Sequence, residues 1–183
     1  MTTAKLARPT ADEFGGGFAN YVPLVPETHI EDVLARQLDE LLALLQPLSE
    51  KQAMTLHAPY TWTIKEVLGH VTDCERIFAY RALRTARGDQ TPLASFEENE
   101  YARQAHFSTY PQQGLVQEFE HVRRANLFLF EHLDDDAWLR RGTSGGVVMS
   151  VRAWAYVIVG HARHHERIVR TRLQSCGPLV WSS

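Results

Sequence analysis

The sequence predicts an all-α fold, a four-helix bundle carrying an N-terminal arm. Three observations predict it. Four long stretches place apolar residues at helical spacing, two of them open on a Thr-x-x-Glu capping box, and the one strand-like segment, "GGVVMSV", has no partner strand in view. The expected division is an arm over 1–26, a bundle over 27–175 and a short tail over 176–183.

The arm is rich in Gly and Pro ("EFGGGFANYVPLVP"), with Phe14, Phe18, Tyr21 and Val22 as candidate anchors on the body. The first helix is expected to begin near "PETHIEDV", where Thr28 and Glu31 have capping-box spacing. Ile30, Val33, Leu34, Leu38, Leu41, Leu42 and Leu45 form its apolar stripe, and Pro47 stops it. The second helix opens with Thr63 and Glu66, buries Ile64, Val67, Val71, Cys74, Ile77 and Phe78, and closes before Gly88. Residues 89–110 read as a long connection holding a short helix in "EENEYARQAHF", and its length admits a crossover. The third helix, "GLVQEFEHVRRANLFLFEHL", sets Leu115, Phe119, Val122, Asn126, Phe130 and Leu133 on one side. "DDDAWLRRGTSGG" is expected to be a solvated loop. Ser150 then caps a fourth helix running to about Leu173.

A chain of 183 residues with 44% hydrophobic and 22% charged residues is long and apolar enough for one buried core. A formal charge of −3 supplies no cationic footprint for nucleic acid or anionic lipid. Two cysteines, Cys74 and Cys176, make no disulfide framework, and the first residues contain no hydrophobic signal core. A cytoplasmic protein with reduced thiols is expected.

Against that background the histidines stand out. "GHVTDCERI" (69–77) and "GHARHHERI" (160–168) repeat Gly-His, four variable residues and Glu-Arg-Ile in one register. Related places in the bundle would bring His70 and His161 to similar depth. His161 and His165, four apart, share a helix face, and that face is the core stripe Val151, Trp154, Ile158, His161, His165, Ile168, Arg172. A buried polar group without a partner costs about 1–3 kcal/mol, so two adjacent imidazoles call for a shared partner. A lone core histidine is usually satisfied by a hydrogen bond, and His29, His57, His121 and His132 are read so or as exposed. For the pair, a divalent metal is the economical partner, and His70 completes a three-histidine face. Three protein ligands leave the open position of a catalytic site, where bound water falls to a pKa of about 7. His164 is placed beside the site. Asp73 and Cys74 have the spacing to join His70, though Asp73 also suits an outer carboxylate and Cys74 a core filler. Ala162 stands where the HExxH zincin motif has its glutamate, so this is not a zincin. "GTSGG" is followed by no Gly-Lys-Ser/Thr and cradles no phosphate. Glu75 and Glu166 project away from the ligand face and are expected in salt bridges.

"WTIKEVLGHVTDCERIFAYRALRTARGDQTPLASFEENEYA" and "SVRAWAYVIVGHARHHERIV", with "YVPLVPETHIEDVLARQ", resemble the DinB/YfiT-like family of metal-dependent hydrolases. (The DNA polymerase sharing the DinB name is unrelated.) The resemblance runs from about Tyr21 to Leu173. It implies an up-down-down-up bundle, often dimeric, and a divalent metal, zinc or nickel, on His70, His161 and His165 with water completing the coordination. It implies no particular substrate.

Three functions follow as expectations. The first is a hydrolase using metal-activated water, with Asp73 a weak candidate for an outer carboxylate and no assigned general base. The second is a transferase or isomerase dependent on a low-molecular-weight thiol, as the resemblance allows, with Arg76, Arg81, Arg84 and Arg163 as candidates for a cationic rim. The third is a non-enzymatic metal-holding stress or scaffold protein. A small-molecule substrate and a homodimer are expected, with no nucleic-acid or membrane partner.

Overall fold

The computed structural model describes residues 7–175; the tail expected over 176–183, with Cys176, lies outside the described residues. Seven helices and one hairpin follow in order: α1 Ile30–Leu45, α2 Glu50–Met54, α3 Ile64–Ala86, α4 Glu98–Ala105, α5 Gln112–Glu131, α6 Asp135–Leu139, β1 Arg141–Ser144, β2 Val147–Ser150 and α7 Val151–Ser175. The four long ones, α1, α3, α5 and α7, form the bundle.

Cross-helix contacts give their directions. Gln112 at the start of α5 donates to the Leu45 carbonyl at the end of α1, while Arg123 reaches Leu34 O near its beginning, so these two run antiparallel. Lys65 bonds Tyr110 O beside the start of α5, and Glu75 meets Arg123 farther along, so α3 and α5 run parallel. Arg172 bonds Trp62 O while Trp154 stacks on Phe78, so α7 opposes α3. The order is up-down-down-up. α1 packs on α5 and α7, and α3 packs on the same two. Helices adjacent in sequence, α1 and α3, therefore stand diagonally, which the long connections permit.

The apolar stripes explain the packing. Every stripe residue anticipated on α1 is buried, and so is Gln37, which donates to Val159 O at 3.0 Å. Deeper between helices, Arg123 bonds Glu75 at 2.8 Å, Gln37 at 3.1 Å and Leu34 O at 3.1 Å, so no charge is left unpaired. Thr63 and Glu66 form the capping box of α3, and Gly88, at φ +78°, turns the chain beyond its end. Ser150 Oγ accepts from Ala153 N at 3.0 Å and caps α7.

Three expectations are corrected. α1 is not opened by the Thr28–Glu31 box: Ile30 follows His29, which adopts a left-handed conformation at φ 56°. Tyr156 and Arg163 of α7 hold Glu27, so tertiary anchoring sets where the chain turns into the helix. Residues 134–146 are not a solvated loop. Asp134 caps α6, whose Trp138 is fully buried against Phe130. "GGVVMSV" does find a partner, "RGTS", in an antiparallel hairpin pairing Ser144 with Val147. Gly145 and Gly146, at φ +58° and +78°, supply the two left-handed residues that a tight I′ turn requires.

Before α1, residues 11–24 form three short 3-10 turns. Glu13 is buried among Arg152, Ser150 and Thr10, and these hydrogen bonds hold its carboxyl down at about 2 despite the opposing effect of burial. Phe18 packs edge-on to Trp154 and Phe78. No helix among the described residues is long and apolar enough to cross a membrane.

Candidate metal centre

α3 and α7 run antiparallel across the middle of the bundle, and the two Gly-His blocks meet there. Each glycine makes room for a crossing chain. A Cβ at Gly160 would lie 2.2 Å from the Tyr21 carbonyl oxygen, and one at Gly69 would lie 2.3 Å from the Phe107 ring. The glycines thus let other segments close over the helices one residue before each histidine.

His70, His161 and His165 converge, with one nitrogen from each lying within 4.8 Å of the other two. His70 Nε2 and His161 Nε2 are 3.1 Å apart, and the ring centroids of His161 and His165 are 4.6 Å apart. Trp62 lies against His70, while Tyr21 and Phe78 meet His161 edge-on. His70 and His161 are buried; His165 is half-buried, its Nδ1 enclosed without a hydrogen-bond partner.

Burial disfavours charge on all three rings. It pulls His70 down to about 4 and, joined by the neighbouring His70 and His164, pulls His165 down to about 3. His161 is driven well below its ordinary value by burial and by the adjacent imidazoles. At neutral pH the cluster offers neutral nitrogens, the form that ligates metals. Bonds of about 2.0–2.1 Å to nitrogen set ligand pairs about 2.8–3.4 Å apart between octahedral and tetrahedral arrangements; the 3.1 Å between His70 and His161 falls in that range.

The cluster forms part of the wall of a cavity of about 380 Å3. Cys74 lies 3.7 Å from the His70 nitrogens, but burial pushes its thiol up to about 12 and keeps it protonated. His164 is exposed and lines the cavity 5.1 Å from the His165 ring. Asp73 is half-buried, pairs with Arg76 at 3.3 Å and is absent from the cavity wall.

Of the four arginines considered for a cationic rim, only Arg81 lines the cavity. Arg76 pairs with Glu118, Arg84 with Asp89 and Arg163 with Glu27. Glu75 is enclosed with Arg123 and Asn126, and Glu166 pairs with Arg170, as their positions on the helices predict. Sequence reasoning missed Trp62, Glu98 and the cavity-facing role of Tyr21, because they reach the site from connections and from the arm. Arg81 did carry a signal: it follows His70 by 11 residues, about three helical turns, and so shares its face.

Residues 34–169 match the family model of the DinB superfamily. The chain belongs to that superfamily. Two solved structures share its fold. One is YfiT from Bacillus subtilis, described as a probable metal-dependent hydrolase with an unusual four-helix bundle topology. It aligns at a TM-score of 0.71 with 16% identity, over 96% of this chain and 95% of that one. The other is a mycothiol-dependent maleylpyruvate isomerase, at a TM-score of 0.64 and 16% identity over 75% of this chain. This chain spans 58% of that longer protein. No curated protein is similar enough in sequence to count as a match. Both alignments agree with the helical bundle described above.

Proposed function

We propose that the protein is a metal-dependent hydrolase that holds one divalent ion, zinc or nickel, on His70, His161 and His165. One observation carries the reading: His70, His161 and His165 each bring one nitrogen within 4.8 Å of the other two, with His70 Nε2 and His161 Nε2 facing one another at 3.1 Å. A bound cation satisfies all three donors together, and neutral imidazole suits both ions. The metal, when bound, supplies Lewis acidity towards a carbonyl and lowers the pKa of a coordinated water to about 7.

The chain's own groups do the rest. Trp62, Tyr21 and Phe78 pack on the ligand rings and fix their orientation. Phe18 and Phe96 exclude water from part of the cavity. Glu98 is the cavity's carboxylate among the described residues, and one of its oxygens is the group assigned to take up and return a proton.

Metal content of tag-free protein, measured by mass spectrometry, tests the reading. About one ion per chain is expected, lost in His70→Ala, His161→Ala and His165→Ala and kept in His164→Ala and Asp73→Asn. Absence of metal after reconstitution with zinc and nickel would overturn it. Metal-dependent cleavage of a panel of esters and amides tests the hydrolase itself, with Glu98→Gln expected to lower turnover at unchanged metal content.

A second reading makes the metal the anchor of a low-molecular-weight thiol in a transferase or isomerase. The cavity beside the histidines leaves room for such a thiol, and a mycothiol-dependent isomerase shares the fold. Thermal protection by mycothiol, bacillithiol or glutathione would support it, and no shift with any of them would count against it. The third reading, a non-enzymatic metal holder, is disfavoured by the cavity beside the ligands. In cobalt-substituted protein, azide is expected to change the visible spectrum; an unchanged spectrum would revive that reading. We further propose a cytoplasmic homodimer acting on a small molecule, without nucleic-acid or membrane partners. Phe128 of α5, 65% exposed, supplies apolar surface for a dimer, and sedimentation showing a monomer at micromolar concentration would exclude one.

A further inference from the structure

His70, Cys74, Phe78 and Arg81 follow one another at intervals of four, four and three residues, and all four line the cavity. They form a single stripe on α3. It runs from a candidate metal ligand, past a neutral thiol and an aromatic ring, to a cation. Arg81 sits about 16 Å beyond His70 along the helix axis at 1.5 Å per residue, and helical side chains lean towards the N-terminus, so its guanidinium leans back towards the histidines.

Arg81 is an unusual cation. Its residue is only 3% exposed, yet no carboxylate pairs with it among the described residues. One hydrogen bond is found there, from Nη2 to Ala94 O at 2.7 Å. Its guanidinium carbon lies 5.4–5.9 Å from the ring centres of Trp154, Phe96 and Phe18. Those faces hold the charge in place by cation–π attraction. A guanidinium carries five such donors and does not shed its proton in proteins. Buried charges are ordinarily paired, as Arg123 is with Glu75 and Arg152 with Glu13. Arg81 departs from the pattern on the wall of a cavity.

We infer that Arg81 is the anion receptor of this cavity: its ligand carries a carboxylate or phosphate that pairs with the guanidinium, while the reacting group lies at the histidine end. Bidentate pairing suits either anion. The ligand is therefore an elongated small molecule, anionic at one end and apolar in the middle, where Phe78 and Phe18 line its path. This rests on the proposed function for the histidine end only; the receptor itself is independent of the metal. The same anion could belong to the substrate or to a thiol co-substrate.

The test is titration of the full-length protein, followed by tryptophan fluorescence, with 4-phenylbutyrate, its neutral amide, phenethyl phosphate and S-methylglutathione, whose blocked sulfur forms no thiolate. At least one anion is expected to bind at least tenfold tighter than the amide binds. Arg81→Gln should weaken that anion at least tenfold, Arg81→Lys less, and His165→Ala little. Ser95→Asp, which leaves Arg81 in place and adds a competing carboxylate to the cavity wall, should also weaken it and guards against misfolding of the Arg81 variants. Binding of S-methylglutathione alone would assign the anion to a thiol co-substrate; binding of phenylbutyrate or phenethyl phosphate would assign it to the substrate. The inference is overturned if no anion outbinds the amide, or if anion binding survives both Arg81→Gln and Ser95→Asp. Loss through His165→Ala with survival in Arg81→Gln would place the anion on the metal instead. Metal content measured on the same samples reports separately on the hydrolase reading, so failure of one leaves the other standing.

Discussion

The segments 69–77 of α3 and 160–168 of α7 repeat one pattern of residues and meet face to face, yet they carry different chemistry. Both glycines admit a crossing segment, and both first histidines aim into the shared cluster. The halves diverge four residues on, where α3 has a neutral thiol, Cys74, and α7 has a third imidazole, His165. One position later Glu75 is enclosed with Arg123 and Asn126, while the half-buried Glu166 bonds the exposed Arg170. The comparison teaches that a repeated local pattern fixes position and depth, whereas the helices packed around it decide what each position does.

The sharpest contrast lies at the two glutamates. Glu75→Ala leaves Arg123 buried without its carboxylate and is expected to cost about 3–5 kcal/mol, read as a lowered denaturant midpoint. If Glu75→Ala and Glu166→Ala proved equally mild, the contrast would fail. The glycines come next. Gly160→Ala drives a methyl into a backbone carbonyl, and a cost of about 3 kcal/mol is expected. Gly69→Ala meets a side-chain ring that can shift, so about 1–2 kcal/mol is expected. A reversed order in thermal unfolding would mean that the arm yields more readily than Phe107 does.

The histidines add a dependence on pH. In chelator-treated protein, His70 and His165 titrate near 4 and 3 when folded, against an ordinary 6.5. Below 6.5 the unfolded chain binds more protons, so stability falls as the pH drops from 6.5 towards 4. The slope is about 1.4 kcal/mol per pH unit for each histidine kept neutral. His165→Ala should flatten that slope and Cys74→Ala should leave it unchanged; equal slopes in both variants would break the asymmetry. The smallest effect is expected from Glu166→Ala, about 0.5–1 kcal/mol for an i,i+4 pair whose arginine is exposed.

The bundle was legible because its signals are local. The apolar stripes of α1 and α3, the Thr63–Glu66 box and the Ser150 cap all act within a few residues, and the structure realises them. The convergence of His70, His161 and His165 was legible for the same reason: the pair shares one helical face, and the repeat puts the third histidine in register. What escaped depends on distant partners. The hairpin strands span four residues each, too short for alternation to show, and hold together through mutual pairing and the Gly145–Gly146 turn. α1 starts at Ile30 because α7 grips Glu27. Tyr21, Trp62 and Glu98 join the cavity from segments with no periodicity to read.

The arm passes so close to Gly160 that even a methyl group would collide with Tyr21, and in doing so it supplies Phe18 and Tyr21 to the cavity wall. The DinB match begins only at residue 34. Part of the cavity wall is thus furnished by a stretch ahead of the bundle, although the structural alignment with YfiT, over 96% of this chain, takes in most of it. Substitutions at these arm positions would reshape the cavity wall while leaving the histidines and the helices that carry them as they are.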